Sequence, residues 1–198
     1  MDQTTENRFP RVILASASPR RLDLLRQVGI EPEIEPSHVE EVITSTVPDQ
    51  VVMELSRQKA EDIAALHAGE DAIVIGADTV VAYDGKILGK PADEADAKAM
   101  LASLSGRTHQ VYTGVALFSL KEGIIEKKTT FHECTDVTMV SMTEKEIADY
   151  VASGDPMDKA GAYGIQGMAA IFISEIKGDY YNVVGLPISR VYHEIEQF

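Results

Sequence analysis

The six residues Ser16-Ala17-Ser18-Pro19-Arg20-Arg21 bring two hydroxyls, the free backbone amides of a helix start and two guanidinium groups into one short segment. A helix N-terminus carries positive potential and an arginine can hold phosphate oxygens in a fork, so this segment suits a polyanion. A capped helix with solvated arginines is the plainer reading, because caps are commoner than phosphate sites. Asp78 stands in Gly-Ala-Asp-Thr (76–79) within an apolar stretch, where an ionised carboxylate is costly unless hydrogen-bonded, paired or metal-bound. It could act as a base or a metal ligand; alternatively the chain bends there and Asp78 caps a turn or pairs with an arginine. Glu40 and Glu41 are acidic residues that could join it. Lys59, and Lys90 in Gly-Lys-Pro (89–91), are ordinary surface lysines unless the fold returns them to Asp78. Gly161, Gly164 and Gly167 permit close backbone approach to a ligand, and Gln166 offers both a donor and an acceptor to a base edge. A flexible connection with a turn-forming glutamine is the alternative.

Hydrophobic periodicity supplies the elements that must position these groups. Residues 11–15 read as a buried strand, followed by a helix from Pro19 with Ser18 as N-cap, ending at Gly29. A second helix is predicted from Pro48 to about Ala68, with Arg57 and Lys59 among its polar positions. Residues 72–76 form a β-branched run that enters Ala77-Asp78-Thr79 and continues through 80–82. Asp84-Gly85 then turns the chain into a return strand at Ile87-Leu88. Residues 93–104 are helical, 108–120 and 124–140 are long strands, and 143–152 is a helix with Thr143 and Glu146 in capping-box spacing. After the glycine-rich loop 154–167 come a strand at 169–176, a strand at 180–184 and a last helix from Pro187. Helices interspersed with hairpins imply an α/β fold with a mixed sheet, since hairpin strands cannot be parallel. No repeat or composition break marks a second domain, so residues 1–198 are expected to form one unit, with 1–10 as an N-terminal extension.

A formal charge of −14 leaves no basic face with which to displace counterions from a nucleic-acid backbone, although it does not exclude a small phosphate ligand bridged by a divalent cation. Nothing approaches the roughly 18 consecutive apolar residues of a membrane span, and the polar start of the chain does not resemble a signal peptide. A cytoplasmic protein is expected. The lone Cys134 sits between Glu133 and Asp136, which disfavour a thiolate, and reads as structural or inert. The five histidines, His38, His67, His109, His132 and His193, lack metal-ligand spacing. A P-loop, a dinucleotide fingerprint and a nucleophile elbow are all absent.

Taken together, Ser-Ala-Ser-Pro-Arg-Arg (16–21), Gly-Ala-Asp-Thr-Val-Val (76–81), Gly-Lys-Pro (89–91), Asp-Lys-Ala-Gly-Ala-Tyr-Gly-Ile-Gln-Gly (158–167) and Val-Val-Gly-Leu-Pro (183–187) resemble, in order and spacing, the Maf family of nucleotide pyrophosphatases. The resemblance implies an α/β fold related to the inosine-triphosphate pyrophosphatases, two-lobed with a cleft, and commonly a homodimer. It places Asp78 at the family's catalytic acid/base position. Arg20, Thr79 and Gln166 match the specificity positions of the subgroup acting on dTTP and UTP, whereas the subgroup acting on 7-methyl-GTP carries Glu in the last loop. Ser16, Arg21, Lys59 and Lys90 match phosphate-binding positions, and Glu41 matches an acidic position near the metal.

The expected mechanism joins the two lines. A divalent metal, magnesium or manganese, neutralises a pyrimidine nucleoside triphosphate that Arg20, Arg21, Lys59 and Lys90 position, and Asp78 binds the metal or deprotonates the water attacking the α-phosphate. A nucleotide-binding regulator of cell division or septum formation is the competing reading. It needs the same basic cradle without Asp78, and a purely scaffolding role needs neither.

Overall fold

The computed structural model describes residues 9–198. Seven strands form one mixed sheet: β1 (Val12–Leu14), β2 (Glu33–Ile34), β3 (Ala72–Tyr83), β4 (Lys86–Leu88), β5 (Thr108–Lys121), β6 (Ile124–Met139) and β7 (Ile173–Lys177). Their order is β2-β1-β3-β5-β6-β7, with β4 paired to the end of β3. The β1 pairs with β2 and β3 are parallel, and the remaining pairs are antiparallel. The helices are α1 (Pro19–Gln27), α2 (Pro48–Leu66), α3 (Glu94–Leu104), α4 (Glu144–Ala152), α5 (Tyr180–Val184) and α6 (Ile188–Ile195).

Strand alternation sorts the core. Ile73, Ile75 and Ala77 of β3 join Leu24 and Leu25 of α1 and Val191 of α6, while Ala72 and Val74 join Ala60 and Ile63 of α2 on the other face. Each fully buried Leu or Ile on these faces contributes about 1.5–3 kcal/mol. A further cluster holds Val81, Val111 and Val137 with Leu101 of α3 and Ile147 of α4. The long strands thus serve two lobes. Asp78 and Thr79 fall between Ala77 of the first and Val81 of the second.

Two glycines let α2 lie close on the sheet. A Cβ at Gly76 of β3 would run into Ser56 and Ala60, and one at Gly114 of β5 would lie 2.8 Å from the Met53 nitrogen and nearer still to Val52. Backbone therefore meets backbone along α2, an approach that a larger side chain would block.

The strand through Gly-Ala-Asp-Thr continues as expected and the alternative of a bend falls away: β3 is unbroken, with Asp78 opposite Gly114 and Thr79 opposite Thr113. Three expectations change. Residues 168–172 form a 3-10 turn, so the strand expected from 169 begins at Ile173. The segment 180–184 is helical rather than extended, because the Asp179 side chain accepts the Tyr181 amide and Gly185, at φ 125°, ends the helix after five residues. Ser18 occupies the N-cap position of α1 but its side chain caps nothing; instead its amide donates to Ser16 Oγ at 3.2 Å. The capping box of α4 forms as expected. Of the N-terminal extension, residues 1–8 lie outside the described residues, and Phe9 packs edge-on against Tyr192 in the core.

Candidate active site

The junction of the lobes is a cleft of about 1280 Å³ lined by the α1 start, the segment after β2, α2, the middle of β3, the β4 hairpin and the glycine-rich loop. It gathers Ser16, Arg20, Arg21, Glu41, Lys59, Asp78, Thr79, Lys90 and Gln166. Glu40, the other acidic candidate, does not line it.

Asp78 is on the floor. On β3 it shares the face of Gly76, beneath α2, and Lys59 of α2 donates to its Oδ1 at 2.5 Å. Both side chains are about five-sixths buried, at 16% and 17% exposure, and removing either would leave the other without its closest partner. Glu41 Oε1 lies 3.0 Å from the same Lys59 ammonium. Two carboxylates from distant parts of the chain therefore converge on one cation. Oδ2 of Asp78 has no hydrogen-bond partner among the described residues.

Glu41 is delivered by a segment without regular structure that the sequence reading left unassigned. Glu54, Gln58 and Asp62, four residues apart on one stripe of α2, hold it in succession. Asp62 accepts from Ser37 Oγ at 2.7 Å, Gln58 both accepts from and donates to the Val42 backbone at 2.9 and 2.6 Å, and Glu54 accepts the Thr44 amide at 3.0 Å. The i, i+4, i+8 polar row was the available signal.

Thr79, one residue on, projects to the opposite face of β3. Its Oγ1 accepts from Arg21 at 3.1 Å and lies 2.9 Å from Thr113 Oγ1. Arg21 also donates to the Gly185 carbonyl at 2.8 Å and to Ser16 Oγ at 3.1 Å. Its pKa is lowered by burial, against the opposing pull of the Asp78 charge. Arg21 is thus pinned by neutral acceptors, with its charge directed at the cleft rather than consumed in an ion pair.

Arg20 reaches across to the glycine-rich loop and pairs with Asp158 at 3.2 Å. Burial raises the Asp158 pKa, but hydrogen bonds from Lys159 and Arg20 outweigh it and hold the carboxyl below its ordinary value. Lys159 bonds Asp158 at 2.7 Å and threads beneath Gly164, where a Cβ would strike its side chain. Lys90 and Gln166 are exposed at the rim, and neither has a hydrogen-bond partner among the described residues. Lys86 of β4, not singled out from sequence, also lines the cleft, as do Asp158 and Lys159, the first two residues of the 158–167 motif, to which sequence alone assigns no role of their own. Lys86 was hidden by its hairpin position, which gives no sign of facing a cavity.

Cys134 is exposed, and partial burial together with Asp136 raises its pKa, which keeps the thiol protonated. Among the described residues no group of three or more His, Cys, Asp or Glu is placed to hold a metal, and no helix is long and apolar enough to cross a membrane. The Asp78–Glu41 pair nevertheless fits a magnesium-like ion. Such ions take one or two carboxylates and complete their shell with water and phosphate oxygens, and here two hard oxygen donors already face one cation.

Fold and cleft define an α/β protein with basic side chains gathered in a cleft beside a nearly buried carboxylate. The family model described as Maf-like protein matches residues 11–198, and the chain belongs to that family. It is 54% identical to a dTTP/UTP pyrophosphatase of Agathobacter rectalis, over 94% of this chain and 97% of that one. It is 53% identical to a dTTP/UTP pyrophosphatase of Bacillus mycoides, over 95% of each. Among solved structures, a HAM1 protein from Coxiella burnetii superposes with a TM-score of 0.48 at 16% identity, covering 95% of this chain and 99% of that chain.

Proposed function

We propose that this Maf-family chain is a nucleoside triphosphate pyrophosphatase that hydrolyses dTTP and UTP to the monophosphate and pyrophosphate, acting as a cytoplasmic homodimer. The observation that carries the reading is Asp78, held by Lys59 at 2.5 Å on the floor of a cleft whose walls supply Arg20, Arg21 and Lys90. Relatives more than half identical over nearly their whole length bear that activity in their names.

In this reading Arg20, Arg21, Lys90 and the free amides at the start of α1 bind the triphosphate, and Ser16 and Arg21 brace one another. Asp78 Oδ2 accepts a proton from a water whose oxygen attacks the α-phosphorus. The bond from that phosphorus to the α,β-bridging oxygen breaks, and pyrophosphate leaves with the electron pair. Asp78 and Glu41 would hold magnesium or manganese, which supplies charge stabilisation for the phosphoryl oxygens. Before an ion binds, Lys59 keeps the two carboxylates oriented toward one point, and an ion taking its place would free it for phosphate. Thr79 and Gln166 read the base.

A pyrophosphate-release assay over a nucleotide panel, with and without divalent metal, tests the reading, and Asp78→Asn supplies its control. Metal-dependent turnover of dTTP and UTP is expected. Asp78→Asn is expected to lose most turnover while binding nucleotide within about tenfold of the parent. Nucleotide binding without turnover by the parent would favour the regulator instead, and near-normal turnover in folded Asp78→Asn would remove Asp78 from the mechanism.

A further inference from the structure

Behind Thr79 lies a buried chain of three oxygens: Thr79 Oγ1, Thr113 Oγ1 at 2.9 Å, and the Asn182 carbonyl at a further 2.9 Å. Thr113 and Asn182 are wholly buried. The two O···O gaps each need a proton, and a carbonyl has none to give. Only one arrangement fills both gaps: Thr113 donates to Asn182, and Thr79 donates to Thr113. Were Thr113 reversed, two acceptor oxygens would face each other without a proton in a site where no solvent could relieve them. The carbonyl end is fixed in turn, because Asn182 Nδ2 donates to the Val111 carbonyl at 3.0 Å and to Thr135 Oγ1 at 2.8 Å. Asn182 O also receives the Gly185 amide at 3.1 Å, which a carbonyl with two lone pairs accommodates. Arg21, which can only donate, meets Thr79 on its acceptor side, as the arrangement requires.

We propose that Thr113 is a specificity-positioning residue: by accepting the Thr79 hydroxyl's hydrogen bond it leaves Thr79 an acceptor only toward the cleft, and so selects a base whose ring nitrogen carries hydrogen. A triphosphate at neutral pH presents acceptors, so an acceptor-only Thr79 cannot serve the phosphates and is matched to the nucleoside. Uracil and thymine offer a ring N–H at position 3, where cytosine offers a bare nitrogen. Gln166 cannot make this distinction alone. Its exposed amide has no partner to fix its orientation and can turn over to suit either edge. The polarity that discriminates is the one locked in the interior, two residues removed from solvent. This inference rests on the pyrimidine-nucleotide reading above and adds to it the residue that sets the polarity.

The test is the ratio of kcat/KM for UTP over CTP in the parent, Thr113→Val, Thr113→Ser and Thr79→Val. The parent favours UTP. Thr113→Val, which can accept no hydrogen bond, frees the Thr79 hydroxyl to rotate and donate, and the ratio falls about tenfold, the cost of one mispaired polar group. Thr113→Ser keeps the parent ratio, because a hydroxyl suffices. General destabilisation would lower both rates and leave the ratio alone. Thr79→Val, altered at a part-exposed cleft position, also loses the preference and does not depend on Thr113→Val folding. An unchanged ratio in either valine variant, or a parent indifferent between UTP and CTP, overturns the proposal. Absence of turnover would defeat the hydrolase reading separately, since the same ratio can be taken from the dissociation constants of UTP and CTP.

Discussion

Gly76→Ala is expected to weaken the fold and disturb the chemistry through one displacement. Gly76 has an ordinary strand backbone, so alanine brings no left-handed strain, and by restricting the unfolded chain it would on its own stabilise by about 0.4–1 kcal/mol. Against this stands a collision. The added Cβ would overlap the Ser56 carbonyl and lie 2.8 Å from the Ala60 nitrogen and 3.0 Å from its Cβ. These are mostly backbone atoms of α2 and cannot swing aside as a side-chain tip would. Overpacking costs roughly 1–3 kcal/mol even where side chains can adjust, so a backbone clash belongs at the upper end and the net loss is about 2 kcal/mol. With a urea m-value of about 2 kcal/mol/M, that is a midpoint lower by about 1 M. The only relief is for α2 to lift from β3. Lys59 sits between the two struck residues, so its contact with Asp78 at 2.5 Å is lost as well. Urea denaturation followed by circular dichroism, alongside pyrophosphate release, reads both effects. Gly89→Ala is the stability control, since among the described residues nothing beyond its chain neighbours comes within 4 Å of the new Cβ. A Gly76→Ala midpoint equal to or above the parent's would refute the close-approach argument.

Arg20→Ala should lower kcat/KM by roughly ten- to hundredfold, since a charge-assisted hydrogen bond to phosphate is worth about 1.5–3 kcal/mol. Stability should hardly move, because its pair with Asp158 is substantially exposed and such pairs contribute little; parent-like kinetics would return Arg20 to the solvated surface. His109 is buried with Nδ1 unpartnered among the described residues and Nε2 2.7 Å from the Tyr163 hydroxyl, and burial pushes its pKa down to about 4. The unfolded state binds the extra proton below about pH 6.5, so stability is lost as pH falls from there toward 4, on the order of 3 kcal/mol in all. His109→Gln should flatten that acid limb in urea midpoints taken across the range, and an unaltered limb would count against the assignment.

Much of the scaffold was legible because periodicity and turn chemistry agreed. The helix beginning at Pro19, the Asp84-Gly85 turn and the Thr143–Glu146 capping box each occur where expected. The error at 180–184 has a physical source. Tyr-Tyr-Asn-Val-Val has strand-like residue types, but the decision is made by the Asp179 cap and by Asn182, whose side chain bonds elements nearly 50 and 71 residues away. Local propensity cannot register such a partner. The same limit applies at the site. Asp78 was conspicuous because a carboxylate interrupts an apolar run. Thr113 was silent because a threonine in a strand is unremarkable until its register opposite Thr79 is known. Lys59 could be assigned only conditionally, since its role depends on Gly76 and Gly114 letting α2 descend onto the sheet.

The cleft also explains how a chain of net charge −14 can receive a polyanion. Among the described residues six lysines and arginines line it against three acidic residues, and at physiological salt, charges beyond about 8 Å are largely screened, so the local excess governs. Each acid is engaged. Asp78 and Glu41 share Lys59, while Asp158 holds Arg20 and Lys159. A triphosphate that draws Arg20 and Lys59 toward itself leaves carboxylates without their cations, and a divalent ion entering between Asp78 and Glu41 leaves Lys59 free for phosphate. Either ligand alone therefore strands a charge that the other would neutralise. Nucleotide and metal are expected to strengthen each other's binding by one common factor, about 5- to 150-fold for a coupling of ordinary size. Calorimetric titration of a non-hydrolysable UTP analogue with and without magnesium, and of magnesium with and without the analogue, measures the factor from both directions. Independent binding would show that Lys59 and the carboxylates do not exchange partners as the geometry suggests.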